Sequence, residues 1–401
     1  MEKSIDVLIV GGGLVGLTLV NALRGSRLSV RLIDSQSSPQ LSARTESSRQ
    51  GHNLVAGASP RVSAINLASE ALLKRLGAWP GAAAQQCAYT QMSVWDGRGT
   101  ASIQFEADLA VADHLGTIIE NDQLTLALFD RGLSVDEAQI DYDSAVETIE
   151  RNDVGYRVTL LSGESISCKL LVGADGGAST VRELTHIKTL EWSYQQSALV
   201  TTIETQAPHQ GVARQCFTPV GALAFLPLAN PRHCSVVWST ATTEELLALD
   251  DDQLCQRLTQ GSESVLGDVL AVDRRFSFPL RQRHALRYIQ SGLALIGDAA
   301  HTIHPLAGQG ANLGFADAQA LAMVLQQCRF NGLQPGDMAL LRSYEQTRRP
   351  ANLLMAAVME AIKRMFDSGD PGVNWLRNLG LSLLDQQSTL KGMVAKLAAG
   401  A

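Results

Sequence analysis

The chain has 401 residues, 45% of them hydrophobic and 18% charged, a globular composition too long for one core to keep growing, so two or more subdomains are expected. A formal charge of −7 argues against a broad nucleic-acid surface, which needs clustered Lys and Arg. Six scattered cysteines (Cys87, Cys168, Cys216, Cys234, Cys255 and Cys328) form no CxxC clip, which argues against a zinc ribbon, an iron–sulfur cluster or a dithiol pair and suits a reducing cytosol.

In chain order, Asp6 to Val10 is a continuous apolar run, as in a strand covered on both faces. Leu14 to Leu23 carries apolar residues at helical spacing and stops at Gly25, and Leu28 to Ile33 is a second strand ending at Asp34. This is a βαβ opening. Val7 to Ala22 is apolar enough to pass for a signal peptide, but MEKSID before it carries Glu2 and Asp6 against Lys3, so it lacks a positive leader. No run reaches the ~18 uncharged apolar residues of a membrane span, and a soluble or at most peripheral protein is expected. Residues 35–60 are rich in Ser, Gln, Gly and Pro and read as a long loop. An amphipathic helix is predicted from Ser63 to Leu76.

Alternation at Tyr156, Val158 and Leu160, a Ser162-Gly163 turn and Ile166, Cys168 and Leu170 predict a hairpin feeding a third buried strand, Leu170 to Val172. The runs ALVTTIET, ALAFLPLA and CSVVWST between Ser197 and Thr240 predict an antiparallel sheet. From about residue 312 the chain reads as mostly helical, with breaks at 332–336 and 369–372.

Three glycine-centred motifs punctuate these elements. Gly11-Gly12-Gly13-Leu14-Val15-Gly16 fits G-x-G-x-x-G. Gly11 permits the tight turn, Gly13 the approach of a pyrophosphate and Gly16 close helix–sheet packing, with free N–H donors at the helix start. Asp34, at the end of the second strand, suits a ribose hydroxyl and disfavours a 2′-phosphate, so the ligand is FAD or NAD rather than NADP. The second motif, Gly173 to Arg182 (GADGGASTVR), is a strand–turn–helix junction in which Asp175 is either a cap or a ligand residue. The third, Gly292 to Ala320, sets Asp298, His301 and His304 at three-residue spacing. Pro305, Gly308, Gly310 and Gly314 make the segment a loop rather than a metal-binding helix face, with a helix starting near Asn312.

In this order the three motifs resemble the class A flavoprotein aromatic hydroxylases, the group related to p-hydroxybenzoate hydroxylase, from about residue 4 to about residue 350. Arg61 to Asn66, the Trp95 region and GDAAHTIHPLAGQGANLG are similar to the bacterial ubiquinone-biosynthesis hydroxylases. The segments Val212 to Gln215, Ala224 to Leu228 and Val237 to Ser239 are most similar to the 2-polyprenylphenol hydroxylase branch, which oxidises ring carbon 5. Sister enzymes acting at other ring carbons, such as the 3-demethoxyubiquinol hydroxylase, share most of them.

The resemblance implies an α/β (α+β overall) fold: a discontinuous Rossmann-like FAD-binding domain (residues 1–76, 108–186 and 287–334), an antiparallel substrate domain (77–107 and 187–286) and a helical C-terminal region (335–401). It implies that Gly11, Gly13, Gly16 and Asp34 hold the ADP half of FAD and that Arg61 and Asn121 line its ribityl-pyrophosphate stretch. Asp175 touches FAD and the nicotinamide donor, and Asp298 binds ribityl or ribose hydroxyls. Pro305 through Leu313, including Gly308, Gly310, Ala311 and Asn312, wraps the flavin ring.

The implied reaction is hydroxylation of a polyprenylated phenol by a C4a-hydroperoxide of reduced FAD, with O2 as co-substrate and NAD(P)H or another reductant as donor. No general base is named, and no metal is called for. The substrate calls for an apolar route, contact with other ubiquinone-biosynthesis proteins and a peripheral place at the inner membrane of a cytoplasmic protein. Met355, Val358, Met359, Ile362, Met365 and Phe366, with Val373, Trp375, Leu376, Leu379 and Leu381, would supply such a surface or pack on the core. The other classes weighed are a related flavoenzyme, such as a prenyl reductase or halogenase, and a non-catalytic flavin-binding subunit. No W-x-W supports a halogenase.

Overall fold

The computed structural model describes residues 4–38, 61–81, 86–97, 99, 102–110, 112–136, 138–303, 310–328 and 330–367. Ile5–Val10 lies at the centre of the first sheet, parallel to Val30–Ile33 on one side and Ser165–Gly173 on the other. Ala138–Asp141 and Leu293–Leu295 extend it in parallel. Helices cover it, which is why its strands read as unbroken apolar runs, with Val7, Leu8 and Ile9 wholly buried. The expected hairpin arm and the third buried strand are one nine-residue strand, Ser165–Gly173. Its first half pairs with Tyr156–Leu160 and its second half with Ile5–Val10.

One expectation is corrected. Residues 63–66 do not belong to the helix: they lie in Val62–Asn66, a strand in a small antiparallel sheet with Gly116–Glu120 and Gln86–Tyr89. The helix is Leu67–Leu76, started by Asn66, whose side chain accepts from the Ser69 N–H at 2.9 Å, and ended by Gly77 at φ 70°. The apolar Val62, Ala64 and Ile65 fit either period, and pairing with the buried strand of Ile118 and Ile119 decides for β.

The large sheet runs in the order His301–Thr302, Phe276–Ala285, Thr189–Thr205, His233–Thr240, Gly221–Pro227, Val212–Thr218, Gln91–Asp96 and Ser102–Glu106. It is antiparallel except between Val212–Thr218 and Gln91–Asp96. Leu246, Leu254 and Leu258 of helices Thr243–Ala248 and Asp251–Gly261 cover one face, packing on Leu199, Leu223, Phe225, Val236 and Trp238.

The last described helix, Met338–Asp367, crosses the opposite face. Met355, Ala356, Val358, Met359, Ile362, Met365 and Phe366 pack there with Val94, Phe217, Ala222, Ile303 and Leu313. Phe366 stacks on Phe217 with ring centroids 3.6 Å apart. This stretch of the apolar stripe is therefore core packing, while Val373, Trp375, Leu376, Leu379 and Leu381 lie outside the described residues. Among the described residues, no helix is long and apolar enough to cross a membrane.

Candidate active site

The first motif forms a tight strand–turn–helix cradle. Gly11 has φ 114°, and a Cβ on it would lie 2.3 Å from the Ala174 carbonyl oxygen. A Cβ on Gly16 would lie 1.9 Å from the Gly11 oxygen, so helix Leu14–Ala22 sits against the strand only because both are glycine. Gly13 is different. A Cβ there would meet no protein atom within 4 Å, and Gly13 starts the helix with no side-chain cap, which leaves open space beside free N–H donors.

Asp34 accepts from the Gly12 N–H at 2.5 Å and from the Gln36 N–H at 2.7 Å. The Tyr142 hydroxyl donates to the Gly12 oxygen at 2.9 Å. Asp34 therefore fixes the glycine turn and, being only half-buried, keeps lone pairs for a hydroxyl.

In the second motif, Asp175 Oδ2 accepts from the Val181 N–H at 3.0 Å. Its Oδ1 is buried with no partner among the described residues. Burial pushes this carboxyl above the usual range, opposed by hydrogen bonds from the start of helix Thr180–Leu184. Arg182 ends the motif and had no role in the sequence reading. It is buried, donating to the Gly177 oxygen at 2.7 Å and the Ala299 oxygen at 2.8 Å, and so ties the second motif to the third.

Asp298 lies in a 3-10 turn, Gly297–Ala299, after strand Leu293–Leu295. Its side chain is accessible to water yet crowded by protein on all sides, as at the floor of a cleft. That crowding raises its carboxyl, while His301 and Arg61 pull it down. The Arg61 guanidinium lies over the Phe278 ring, 4.3 Å from its centroid. Asn121 accepts from the Ser63 hydroxyl at 2.7 Å, and its N–H donates to the Arg61 oxygen at 2.9 Å, so Arg61 and Asn121 are brought together.

Gly310, Ala311 and Asn312 open helix Gly310–Gln326. The Asn312 side chain donates to the Ala64 oxygen at 2.8 Å and accepts from the Asn66 N–H at 3.0 Å, so only its backbone is left for a ligand. Pro305 and Gly308 lie outside the described residues, as does His304.

His301 points into the core. It is 1% exposed, and its Nε2 lies 2.5 Å from Asp317 Oδ2, which also accepts from the Gly297 N–H at 3.1 Å. The other oxygen of Asp317 accepts from Arg348 Nε at 2.7 Å and Asn352 Nδ2 at 3.0 Å. Burial alone would raise the Asp317 carboxyl, but His301, Arg348 and Asn352 outweigh it and hold it below the usual range. The hub thus grips the Asp298 turn at Gly297 and His301 and ties it to the last helix. Sequence reasoning missed Asp317, Arg348 and Asn352. The available signals were a lone carboxylate in the apolar run LGFADAQALA and an Arg–Asn pair four residues apart on a helix.

The face of the large sheet turned away from helices Thr243–Ala248 and Asp251–Gly261 is the less covered one. A row across six strands presents Val94, Gln215, Ala224, Val237, Val200 and Phe276 on that face. On its reverse, Leu223, Phe225, Val236 and Trp238 are almost wholly buried, whereas Ala222, Ala224, Leu226 and Val237 stay partly open. Contacts close both sides of the opening: Leu226 and Leu228 with Val62 and Ala64, and Phe217 and Ala222 with the last helix. The result is a partly open apolar stretch of sheet, joined to the third motif where Ile303 and Leu313 pack with Phe217 and Ala222.

These features fit FAD: an open glycine at a helix start, a buried carboxylate oxygen lacking a donor, and a water-accessible carboxylate deep among protein atoms. Residues 4–359 match the FAD binding domain family. The chain is 36% identical over 401 residues to ubiquinone hydroxylase UbiL of Rhodospirillum rubrum, covering 100% of this chain and 90% of that protein. It is 35% identical over 401 residues to the 3-demethoxyubiquinol 3-hydroxylase of Escherichia coli, covering 98% of each. The crystal structure of p-nitrophenol 4-monooxygenase PnpA from Pseudomonas putida superposes with a TM-score of 0.77 at 19% identity, over 98% of this chain and 97% of that one, which shows the fold. Cradle, hub and sequence kinship agree, and the chain belongs to the class A FAD-dependent monooxygenases, in the family of the ubiquinone-biosynthesis hydroxylases.

Proposed function

We propose that the protein hydroxylates the aromatic ring of a polyprenylated phenol in ubiquinone biosynthesis, at ring carbon 5, with FAD as cofactor and NAD(P)H as electron donor. The observation that carries this reading is that groups left open to a ligand (Gly13, Asp175 and Asp298) follow the ends of three neighbouring parallel strands. Gly11, Gly13, Gly16 and Asp34 would hold the ADP half. Arg61, Asn121, Asp175 and Asp298 would meet the ribityl-pyrophosphate stretch, and Gly310, Ala311 and Asn312, with Pro305 and Gly308, the ring through their backbone. Bound and reduced, FAD supplies the activation of O2.

The chain's own residues do the rest. The floor of Ala222, Ala224, Val200 and Val237 takes the aromatic ring, and the packed last helix keeps water from that side. A prenyl chain suits the same apolar surroundings, and a peripheral membrane contact would deliver it.

Carbon 5 is supported by the resemblance of residues 212–239 to the 2-polyprenylphenol branch. The 35% identity to the E. coli 3-demethoxyubiquinol 3-hydroxylase favours a second reading, oxidation at another ring carbon. Deleting the gene and identifying the accumulated quinone precursor decides between them. A precursor lacking the ring-5 hydroxyl is expected; one blocked elsewhere moves the enzyme to a sister activity, and an unchanged quinone pool overturns both.

A further inference from the structure

We infer that Gln215 is the hydrogen-bond partner of the substrate's phenolic hydroxyl, and so selects a neutral phenol. The inference rests on the proposed function and adds to it a recognising residue. Gln215 is 6% exposed and lies on strand Val212–Thr218, on the less covered face, beside Val94 and two residues from Phe217, which pack with the last helix. Its cross-strand neighbours on that face are Val94 and Ala224, with Val237 beyond, and none of these side chains offers a polar atom. Among the described residues its amide shows no hydrogen-bond partner; some polar groups of the sheet have one, and others, Trp238 Nε1 and both His284 nitrogens, do not. Gln282 accepts from the Tyr194 hydroxyl, and Thr218 donates to the Gly221 oxygen at 2.8 Å.

An amide on the partly open face that no protein group satisfies is free to bond water or a ligand. The chemistry indicates which ligand. A Gln amide carries both an acceptor and a donor, so it can accept from a phenol O–H or donate to the phenolate oxygen, serving both states of a hydroxyl that loses its proton as the ring becomes electron-rich. The row itself holds no Lys or Arg, and Arg61, over Phe278 near its end, is assigned to the cofactor in the proposed function. The alanines leave room for a ring to lie flat on the sheet. Their apolar surroundings make one hydrogen bond strongly discriminating.

The test uses the FAD-loaded enzyme, an ortho-prenylated phenol with a short soluble chain, and the same compound as its methyl ether. Dissociation constants are read from the change in flavin absorbance. The wild type is expected to prefer the phenol over the ether by on the order of 10- to 100-fold, and Gln215→Met, similar in length, to lose most of that preference while keeping its affinity for the ether. If Gln215→Met does not retain FAD, Gln215→Leu is measured in the same way. Wild-type hydroxylation of the phenol with an undiminished preference in these variants overturns the role of Gln215 alone. A wild type that neither binds nor hydroxylates the phenol overturns the proposed function, and this inference with it.

Discussion

Asp317 braces the candidate site from within the core. It is wholly buried and accepts four hydrogen bonds, from Gly297, His301, Arg348 and Asn352, so its charge is matched on every side. Removing one member of such a buried pair leaves the other uncompensated, which typically costs about 3–5 kcal/mol. Asp317→Ala should therefore destabilise the protein by that order in urea titration, and Asp317→Asn by less. In Asp317→Asn, FAD should also dissociate more readily, because the Asp298 turn loses its grip at Gly297 and His301. An unchanged FAD dissociation constant in a folded Asp317→Asn variant would show that the hub does not position that turn.

The spacing of Asp298, His301 and His304 invites a metal reading that the proline and glycines of the segment argue against. Only the structure gives His301 its partner, because Asp317 lies 16 residues further along the chain. Asp175 and Asp298 stand out in the sequence because each follows a strand and stands beside glycines, a local pattern. Arg182 was in plain view, but its acceptor Ala299 is 117 residues away.

At the scale of elements, the two helix-start glycines separate folding from binding. Gly16→Ala would press a methyl group against the Gly11 oxygen, so the helix must move away from the strand. Both stability and FAD retention should fall, with the melting temperature lowered by several degrees. Gly13→Ala meets no protein atom, and its backbone at φ −80° and ψ −171° suits alanine. The apoprotein's melting temperature should stay within about 2 °C of the wild type, while FAD affinity falls at least tenfold as the methyl group fills the pyrophosphate's approach. Equal losses of stability in the two variants would contradict this division.

The strand Val62–Asn66 was misjudged at the same scale. A short apolar run next to a helix fits either period, and a partner strand some 50 residues later settles it. The apolar stripe of the last helix had two readings, and contact with Phe217, Ile303 and Leu313 chooses the core for the described part.

For the whole molecule, burial also sets a pH limit. His284 is 3% exposed, and burial lowers its pKa to about 4, with the charges of His301 and Arg349 adding to the effect and Asp317 opposing it. An unfolded histidine titrates near 6.5. Between these values the unfolded chain binds a proton that the folded protein does not, so stability present above pH 6.5 is lost as pH falls toward 4. Between pH 7 and pH 5 this one residue should remove about 2 kcal/mol of stability, and His284→Leu should flatten that slope in urea titrations at the two pH values. A slope unchanged by the substitution would place the acid sensitivity elsewhere.

By itself the sequence determined the βαβ opening, the antiparallel sheet and the cofactor motifs. Each is written in neighbouring residues, as a period of hydrophobicity or a glycine at a turn that no other residue fits. Tertiary structure decided what those residues face: which carboxylate grips the Asp298 turn, which oxygen of Asp175 lacks a donor, and which face of the sheet stays open around Gln215. Those facts depend on groups brought together from distant parts of the chain, and a buried polar atom acquires its role only from the partners that folding gives or denies it.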